Sequence, residues 1–431
     1  MSCLPLSRLP LQQRTPALLL ALAALLAGCA PNVPKKAEAP PPFVFRSLDL
    51  RQNDPRGRPS WELKSPEARY DLSRRVARAR EPRGLIYEKG KPLYRIGATT
   101  GTVLNDGQVI QLEGQVTIQR LMGQPVLIQG ERVRWIPSRN VMEIDLRPSA
   151  TDRDTRLVAQ RARFLIERDR LELRGAPELQ RWTRVAGAKK EGKPAQPAKP
   201  AGGASGGGTV DKAFAIAPPT PPKRPPDVVI RATTADWHPG TGRLIATGPL
   251  RGTRTVKPGV IQTLTSPALE GNTVKQELLL QAPVVFEDPT NRSRLLAQAT
   301  LLDLDRQIAR TELPVDGRFG ELQVRGAALH VDLDKELATI PRGCALDQPG
   351  ESLRAQRCQW NWKTQAIEAD GDVLLHRQAN DQTTRSQKLR GRLGRKGLAV
   401  FTTPGARVHT QLTVPKGSGA AKKREPEPIR L

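Results

Sequence analysis

The residues of this sequence that could bind a metal or act as catalytic bases are few and stand far apart. The chain has four histidines: His238, His330, His376 and His409. None has the His-Glu-x-x-His spacing of zinc sites, and no Cys-x-x-Cys pair occurs. Gly203–Gly207 matches the Gly-x-Ser-x-Gly pattern of hydrolase nucleophiles, but it lies in a glycine-rich segment with no strand pattern before it. We therefore expect no enzyme activity, no metal and no cofactor.

Cys29 stands at the end of a short apolar run. The run covers residues 17–26, Arg8 and Arg14 precede it, and Ala27 and Gly28 separate it from the cysteine. A basic segment, an apolar segment of about ten residues and a small-residue end are typical of a secretory signal. The run is shorter than the roughly 20 apolar residues of a membrane span. We predict a signal peptide over residues 1–28.

The end of this run, Leu26-Ala27-Gly28-Cys29, resembles the lipobox of bacterial lipoproteins. In that class the cysteine is acylated and becomes the first residue of the mature chain, so the resemblance implies lipidation of Cys29 and a membrane anchor. An ordinary signal peptide that happens to precede a cysteine is the alternative. Residues 29–42 are rich in proline and favour extended polyproline II, so we interpret them as the lipidated cysteine and its tether.

Two further cysteines, Cys344 and Cys358, remain in the exported chain once Cys3 is removed with the signal. An exported protein meets an oxidising compartment, in which disulfides persist. A disulfide between these two residues and a pair of buried free thiols both fit the sequence, because the deciding geometry is not contained in the spacing.

The chain is strongly basic. Its 431 residues carry 69 Lys and Arg against 43 Asp and Glu, a net charge of +26. Such a surface attracts polyanions, which for an exported protein are phospholipid head groups, lipopolysaccharide phosphates and acidic glycans. We therefore predict no nucleic-acid partner. A merely solvated basic face is the alternative interpretation.

The composition divides the mature chain into two folded regions. Residues 185–226 are rich in Ala, Lys, Pro and Gly and nearly free of large apolar side chains, so we predict a disordered linker there. Period-two alternation of apolar and polar residues predicts β-strands over 43–184 and 227–414. Residues 415–431 are predicted to be a basic, disordered tail.

A spacing of 13 residues recurs within both β regions, from Gly101 to Gly114, from Ala162 to Gly175 and from Cys358 to Gly371. Each unit has the pattern strand, short turn, strand, and a unit of this size cannot bury its own apolar face. Stacked units can, which predicts an all-β, elongated, open roll of antiparallel hairpins. The inward, groove-lining positions are Val103, Ile110, Leu112, Val116, Ile118, Phe164, Ile166, Leu171, Leu173, Trp360, Trp362 and Ile367.

These strand pairs, behind a signal and an anchor, resemble the LptC/LptA (OstA-like) family. Gly57, Trp61, Ala68 and Tyr70 are similar to the opening pattern of LptC-type domains. The resemblance covers the first region well and the second only by its repeats. It implies a β-jellyroll in the periplasm that passes lipopolysaccharide from the permeases of an inner-membrane ABC transporter to an LptA-like roll added edge to edge. Basic residues at the rim would meet lipid phosphates, and we expect Arg132, Arg134, Arg161, Arg163 and Arg174 there.

Two features depart from that family. Its well-known LptC members have one transmembrane helix and one roll, whereas this chain is predicted to be lipidated and to have two β regions joined by a linker. Family analogy places the anchor in the inner membrane, whereas Ala30 after Cys29 favours the outer membrane by the sorting rule of some bacteria. The alternative function is a structural or adaptor envelope lipoprotein with a closed β core that binds proteins or acidic glycans.

Overall fold

The computed structural model describes residues 43–183, 218–378, 381–392 and 399–413. These residues belong to one compact unit. The predicted signal peptide, Cys29, the tether, most of the linker and the basic tail lie outside them. No helix in these ranges is long and apolar enough to cross a membrane.

The described residues form 36 β-strands. They contain no α-helix, only the short 3₁₀ turns Asn105–Gly107 and Pro137–Arg139. The predicted all-β class is confirmed. Thirty strands are short and belong to one of two rows of hydrogen-bonded neighbours, while six longer strands take part in both rows.

The first row, here row A, contains β1 (Phe43–Phe45), β4 (Glu67–Asp71), β5 (Val76–Arg80), β8 (Thr100–Leu104), β11 (Val141–Leu146), β14 (Arg161–Leu165), β15 (Arg170–Arg174), β18 (Thr234–Trp237), β21 (Glu277–Leu280), β24 (Thr300–Asp303), β25 (Ile308–Thr311), β28 (Leu329–Asp332), β29 (Leu337–Ile340), β32 (Arg357–Asn361) and β35 (Ala399–Thr402).

The second row, row B, contains β2 (Leu48–Asn53), β3 (Pro59–Ser65), β6 (Arg83–Glu88), β7 (Lys91–Gly97), β12 (Ser149–Asp152), β13 (Thr155–Val158), β16 (Glu178–Arg181), β17 (Val228–Arg231), β22 (Val284–Asp288), β23 (Ser293–Ala297), β26 (Val315–Phe319), β27 (Leu322–Gly326), β30 (Cys344–Gln348), β31 (Glu351–Ala355) and β36 (His409–Gln411).

The six long strands form three hairpins that belong to both rows. They are β9 (Val109–Arg120) with β10 (Val126–Ile136), β19 (Arg243–Lys257) with β20 (Val260–Asn272), and β33 (Ala366–Arg377) with β34 (Gln382–Arg392). In each pair the register shifts near the middle, so that one half pairs within row A and the other within row B. Such irregularities bend a strand, and here they turn the two rows toward each other.

The predicted 13-residue units are hairpins of row A. Gly101–Gly114, Ala162–Gly175 and Cys358–Gly371 correspond to β8–β9, β14–β15 and β32–β33. Each closing glycine has a positive φ, between 73° and 76°. Their carbonyl groups accept hydrogen bonds from backbone N–H groups 15 residues earlier, as in the 2.8 Å bond from Gln356 to Gly371. Glycine adopts this left-handed conformation at no steric cost, which explains its recurrence.

The two β regions are joined by strand pairing in both rows. In row A, Leu171 of β15 lies opposite Trp237 of β18, and in row B Leu179 of β16 lies opposite Ile230 of β17. The sequence left open whether the two predicted β regions form one continuous roll, and here strand pairing continues from one region into the next. The physical reason is that open sheet edges pair with any strand brought beside them.

The core lies between the rows, where alternate residues of each strand face inward. Aromatic side chains from opposite rows meet edge to face at three places along it: Trp61 with Trp135 at 5.3 Å, Tyr94 with Phe164 at 5.3 Å, and Phe319 with Trp360 at 5.2 Å between ring centroids. Turns of row A contact strands of row B at several places, for example Leu304 with Arg181 and Asp169 with Tyr94, and we call this boundary the seam. Arg181 Nη2 crosses the seam to donate to the Leu304 carbonyl at 3.0 Å.

Candidate functional site

An apolar cavity of about 680 Å³ lies between the rows in the second β region. This volume is within the range of small-molecule pockets, about 300 to 1,000 Å³. Its apolar lining comes from both rows and includes Leu264, Phe286, Leu295, Leu302, Val331 and Trp360. The cavity therefore lies between the two rows and is open to solvent over part of its surface.

Small residues at inward positions create this space. Ala309, Val331 and Ala338 lie opposite one another on neighbouring strands of row A, and all three line the cavity. Gly252 lines it from row B, opposite Ile230 and Leu264. The first β region has large side chains, such as Phe164 and Trp135, at its inward positions, and these fill the interior.

Several of the apolar side chains around the cavity are incompletely buried. Leu264, Leu295, Leu302 and Val331 pack against the core but keep part of their surface accessible. In the first β region, by contrast, Ile110, Leu112 and Phe164 are 0% exposed. Burial of apolar surface is favourable, so a hydrophobic ligand that covers the cavity lining would be stabilised there.

Polar side chains of both rows line the cavity, and those of row B include Arg254 and Gln262 at its rim. Arg254 is half-buried and its Nη2 donates across the seam to Gln307 Oε1 at 2.8 Å. Gln262 Nε2 donates to Asp288 Oδ2 at 3.0 Å. Burial lowers the pKa of the Arg254 guanidinium below its ordinary value, although the carboxylates of Asp334 and Asp227 act in the opposite direction. The cavity thus has an apolar interior and a rim with a partly desolvated cation.

Contacts between the two rows lie at both ends of the stretch that lines the cavity. Arg181 and Arg254 contact residues 304–307 of row A at one end. The Phe319 and Trp360 rings meet at the other. The buried Trp360 Nε1 has no hydrogen-bond partner among the described residues.

Cys344 and Cys358 form a disulfide, with their Cα atoms 5.9 Å apart and a sequence separation of 14. Cys344 lies in β30 of row B and Cys358 in β32 of row A, so the bond joins the two rows. Cys358 also lines the cavity. The sequence left the pairing open, and the structure makes it a covalent tie beside the cavity.

The predicted groove residues are placed in two environments. Those of the first β region are packed in the core at 0 to 7% exposure, and none lines the cavity: Val103, Ile110, Leu112, Val116, Ile118, Phe164, Ile166, Leu171 and Leu173. Trp360 and Trp362 line the cavity, whereas Ile367 is buried beside it in the core. Contact of any of these residues with lipid stays a prediction.

None of the five arginines expected to meet lipid phosphates, which include the exposed Arg161 and the half-buried Arg174, lines this cavity, and their contact with lipid stays a prediction. Arg132, Arg134 and Arg163 are exposed residues on the outward face of row A, and Arg132 pairs with Glu113 at 3.4 Å. Sequence reasoning missed Arg254, which the alternation could have revealed. Leu250 and Gly252 are buried, so Arg254 continues the same inward face of β19.

The histidines stand apart from the cavity. His330 Nε2 lies 2.7 Å from Glu312 Oε1 on the surface, and His376 Nδ1 lies 3.2 Å from Thr383 Oγ1. Within the four described ranges, no three His, Cys, Asp or Glu side chains are grouped so that they could hold a metal ion. The cavity with its rim is therefore the candidate site.

Two facing rows of antiparallel strands around an apolar interior define a β-jellyroll. Over residues 17–176 the chain matches the family model described as Lipopolysaccharide-assembly, LptC-related. The resemblance expected from the sequence is confirmed for that range: the chain has an LptC-related region, and the LptC family implies a role in lipopolysaccharide transport. The match ends before the cavity, whose lining begins at Arg181. No curated protein matches the chain.

Proposed function

We propose that this chain is a non-enzymatic component of lipopolysaccharide export that acts as a periplasmic bridge. It would be anchored to a membrane through lipidated Cys29 and would carry lipid acyl chains inside the roll. The observation that carries this proposal is the apolar cavity, which lies in the same strand-paired unit as residues 43–176 of the LptC-related range.

The cavity supports this proposal energetically. Each methylene group moved from water into an apolar environment contributes about 0.8 kcal/mol. The partly exposed Leu264, Leu295 and Leu302 would be covered by the same event. An acyl chain in this space would therefore bury apolar surface on both the ligand and the protein.

The ends of the roll support partners that add strands. Among the described strands, β1 pairs only with β4, and β2 pairs only with β3. At the other end β35 and β36 pair only with β34. Open edges recruit further strands, so an ABC-transporter permease would dock at one end and an LptA-like roll at the other. Phe43 and Phe45, 56% and 46% exposed, would be covered by such a partner.

Two arguments point to different membranes for the anchor. Family analogy favours the inner membrane, where the lipid would be received, whereas Ala30 after Cys29 favours the outer membrane. Fractionation of cells that produce the full chain and a Cys29→Ala variant would decide between them.

In-cell photocrosslinking tests the function. A photoreactive residue is placed at Leu295 or Leu302, which line the cavity, and at Phe164 in the packed first region. Arg294 is the matched control, because it precedes Leu295 on β23 and its side chain is 69% exposed. Lipopolysaccharide adducts at Leu295 and Leu302 but not at Arg294 would support the transport role.

The packed interior of the first β region favours a second candidate, a structural or adaptor lipoprotein. Its inward side chains leave little accessible surface, as a closed core would. A folded, exported protein without lipid adducts at any of the crosslinking positions would contradict the transport role and favour the adaptor.

A further inference from the structure

Arg254 is a cation at the edge of an apolar cavity, and it forms no ion pair with a carboxylate among the described residues. Its Nη2 donates to Gln307 at 2.8 Å, and its Nη1 lies 3.5 Å from Gln262 Oε1. Both partners are neutral. By contrast, Arg325 and Arg354 each reach Asp347, at 2.7 Å and 2.6 Å. A partly buried charge is normally paired, so Arg254 has capacity for an anion.

We propose that the cavity and Arg254 form a binding site for one anionic amphiphile, whose acyl chain occupies the cavity and whose phosphate or carboxylate group accepts hydrogen bonds from the Arg254 guanidinium. This inference rests on the proposed function in one respect, namely that the cavity takes up an acyl chain. It goes further by assigning the head group and by placing the site outside the LptC-related range.

The register of row B supports this orientation of the ligand. Arg254 lies opposite Val228 and Gln262, and Gly252, one inward position deeper, lies opposite Ile230 and Leu264. Polarity therefore falls from the rim into the cavity within two residues of β19. Gly252 has no side chain, so the space between the guanidinium and the cavity is not obstructed from its own strand.

Two acidic groups near the rim, Asp288 and Asp227, have partners of their own, and Asp334, whose carboxylate also acts on Arg254, is exposed and forms no ion pair with it among the described residues. Asp288 accepts hydrogen bonds from Gln262 at 3.0 Å and from the Asn291 side chain at 2.8 Å. Asp227 pairs with Arg224 at 2.6 Å. These carboxylates are stabilised where they are, so an arriving anion does not have to displace either one from Arg254.

Binding of three probes to the purified full chain tests the site. The probes are decyl phosphate, decanol and inorganic phosphate, measured by titration calorimetry. We expect decyl phosphate to bind about ten- to a hundredfold more tightly than decanol, because hydrogen bonds to charged groups contribute that much. Inorganic phosphate should not compete. Equal affinity of decyl phosphate and decanol, or full competition by inorganic phosphate, would overturn the proposal.

Three variants locate the binding. Arg254→Gln should weaken the binding of decyl phosphate about ten- to a hundredfold and leave the binding of decanol unchanged. The matched control Arg251→Gln removes the same charge from an exposed, outward residue of β19 and should change neither. Ala338→Leu fills the cavity and should weaken both amphiphiles. Unchanged decyl phosphate binding by Arg254→Gln would refute the head-group site, and unchanged binding by Ala338→Leu would place the acyl chain elsewhere.

The two proposals fail separately. If no lipopolysaccharide adducts form at Leu295 in cells, the transport role is contradicted. Tighter binding of decyl phosphate than of decanol to the purified protein would still establish the site. Conversely, adducts at Leu295 together with equal binding of decyl phosphate and decanol would retain transport and remove the role of Arg254.

Discussion

The Tyr94 hydroxyl donates a hydrogen bond to Asp169 Oδ1 at 2.6 Å and thereby joins a strand of row B to a turn of row A. Tyr94 is 0% exposed, and burial raises the pKa of its phenol well above the ordinary value, so it remains a donor. Asp169 also accepts from Arg120 Nη1 at 3.0 Å and from the Gly240 N–H at 2.6 Å. The seam of the first region is thus closed by a shared carboxylate.

Removal of this hydroxyl should destabilise the protein. Tyr94→Phe keeps the ring but removes a buried hydrogen bond to a charged group, which contributes about 1.5 to 3 kcal/mol. The free energy of unfolding in urea would measure the loss. Tyr70→Phe is the control, because its hydroxyl lies 3.2 Å from Asp106 on the surface, and it should cost less than about 0.5 kcal/mol. Equal effects of the two substitutions would contradict the role of the seam.

The disulfide should contribute to stability. It closes a loop with a sequence separation of 14 between two rows, and a loop of this length corresponds to about 3 kcal/mol in the chain-entropy model. The double variant Cys344→Ala, Cys358→Ala should lower the urea midpoint. Dithiothreitol should lower the urea midpoint of the wild-type protein by a similar amount, whereas it should not change the midpoint of the double variant. A midpoint unaffected by reduction would show that the tie does not stabilise the fold.

The glycine that ends a row A hairpin should not tolerate a side chain. Gly371 has a φ of 75°, and a Cβ there would lie 2.7 Å from Gln356 Cδ. We expect Gly371→Ala to cost about 1 to 3 kcal/mol in free energy of unfolding. At Gly252 the nearest atom to an added Cβ is 3.6 Å away, so Gly252→Ala should have little effect. A neutral Gly371→Ala would mean that the backbone relaxes there.

Asp152 should make stability depend on pH. It is 3% exposed and its Oδ1 has no partner among the described residues, although Thr273 donates to Oδ2 at 3.1 Å. Burial raises the pKa of its carboxyl above the ordinary value, against the effects of Thr273 and Arg153. The folded state therefore binds the proton more tightly than the unfolded chain. Its favourable contribution is present below the unfolded pKa and is lost as pH rises through the folded one.

Asp152→Asn replaces the carboxylate with a neutral group, so it should stabilise the protein at pH 7 by about 1 to 2 kcal/mol. The gain should shrink toward pH 4. Thermal unfolding at both pH values would test this, with the exposed Asp145→Asn as control. A variant less stable than wild type at pH 7 would show that the charge is needed.

Local patterns predicted the hairpins well. The alternation from Ala162 to Gly175 is a property of neighbouring residues, and it gives strands, turn and inward face without tertiary information. The cavity depends instead on Ala309 and Ala338, 29 residues apart, which the pairing of separate strands brings onto one face. The joining of Leu171 to Trp237 across the predicted linker is likewise a tertiary contact that no local pattern contains.

Between successive long hairpins, row A and row B contain equal numbers of the described strands. Each long hairpin adds two strands to both rows at once, so the two rows advance together, and each row has one further described strand after the last hairpin, β33–β34. A molecule built in this way can lengthen only by whole increments shared by both rows. The two rows then end together whatever the length of the roll, so a partner that adds strands to both rows would meet the same pair of strand edges.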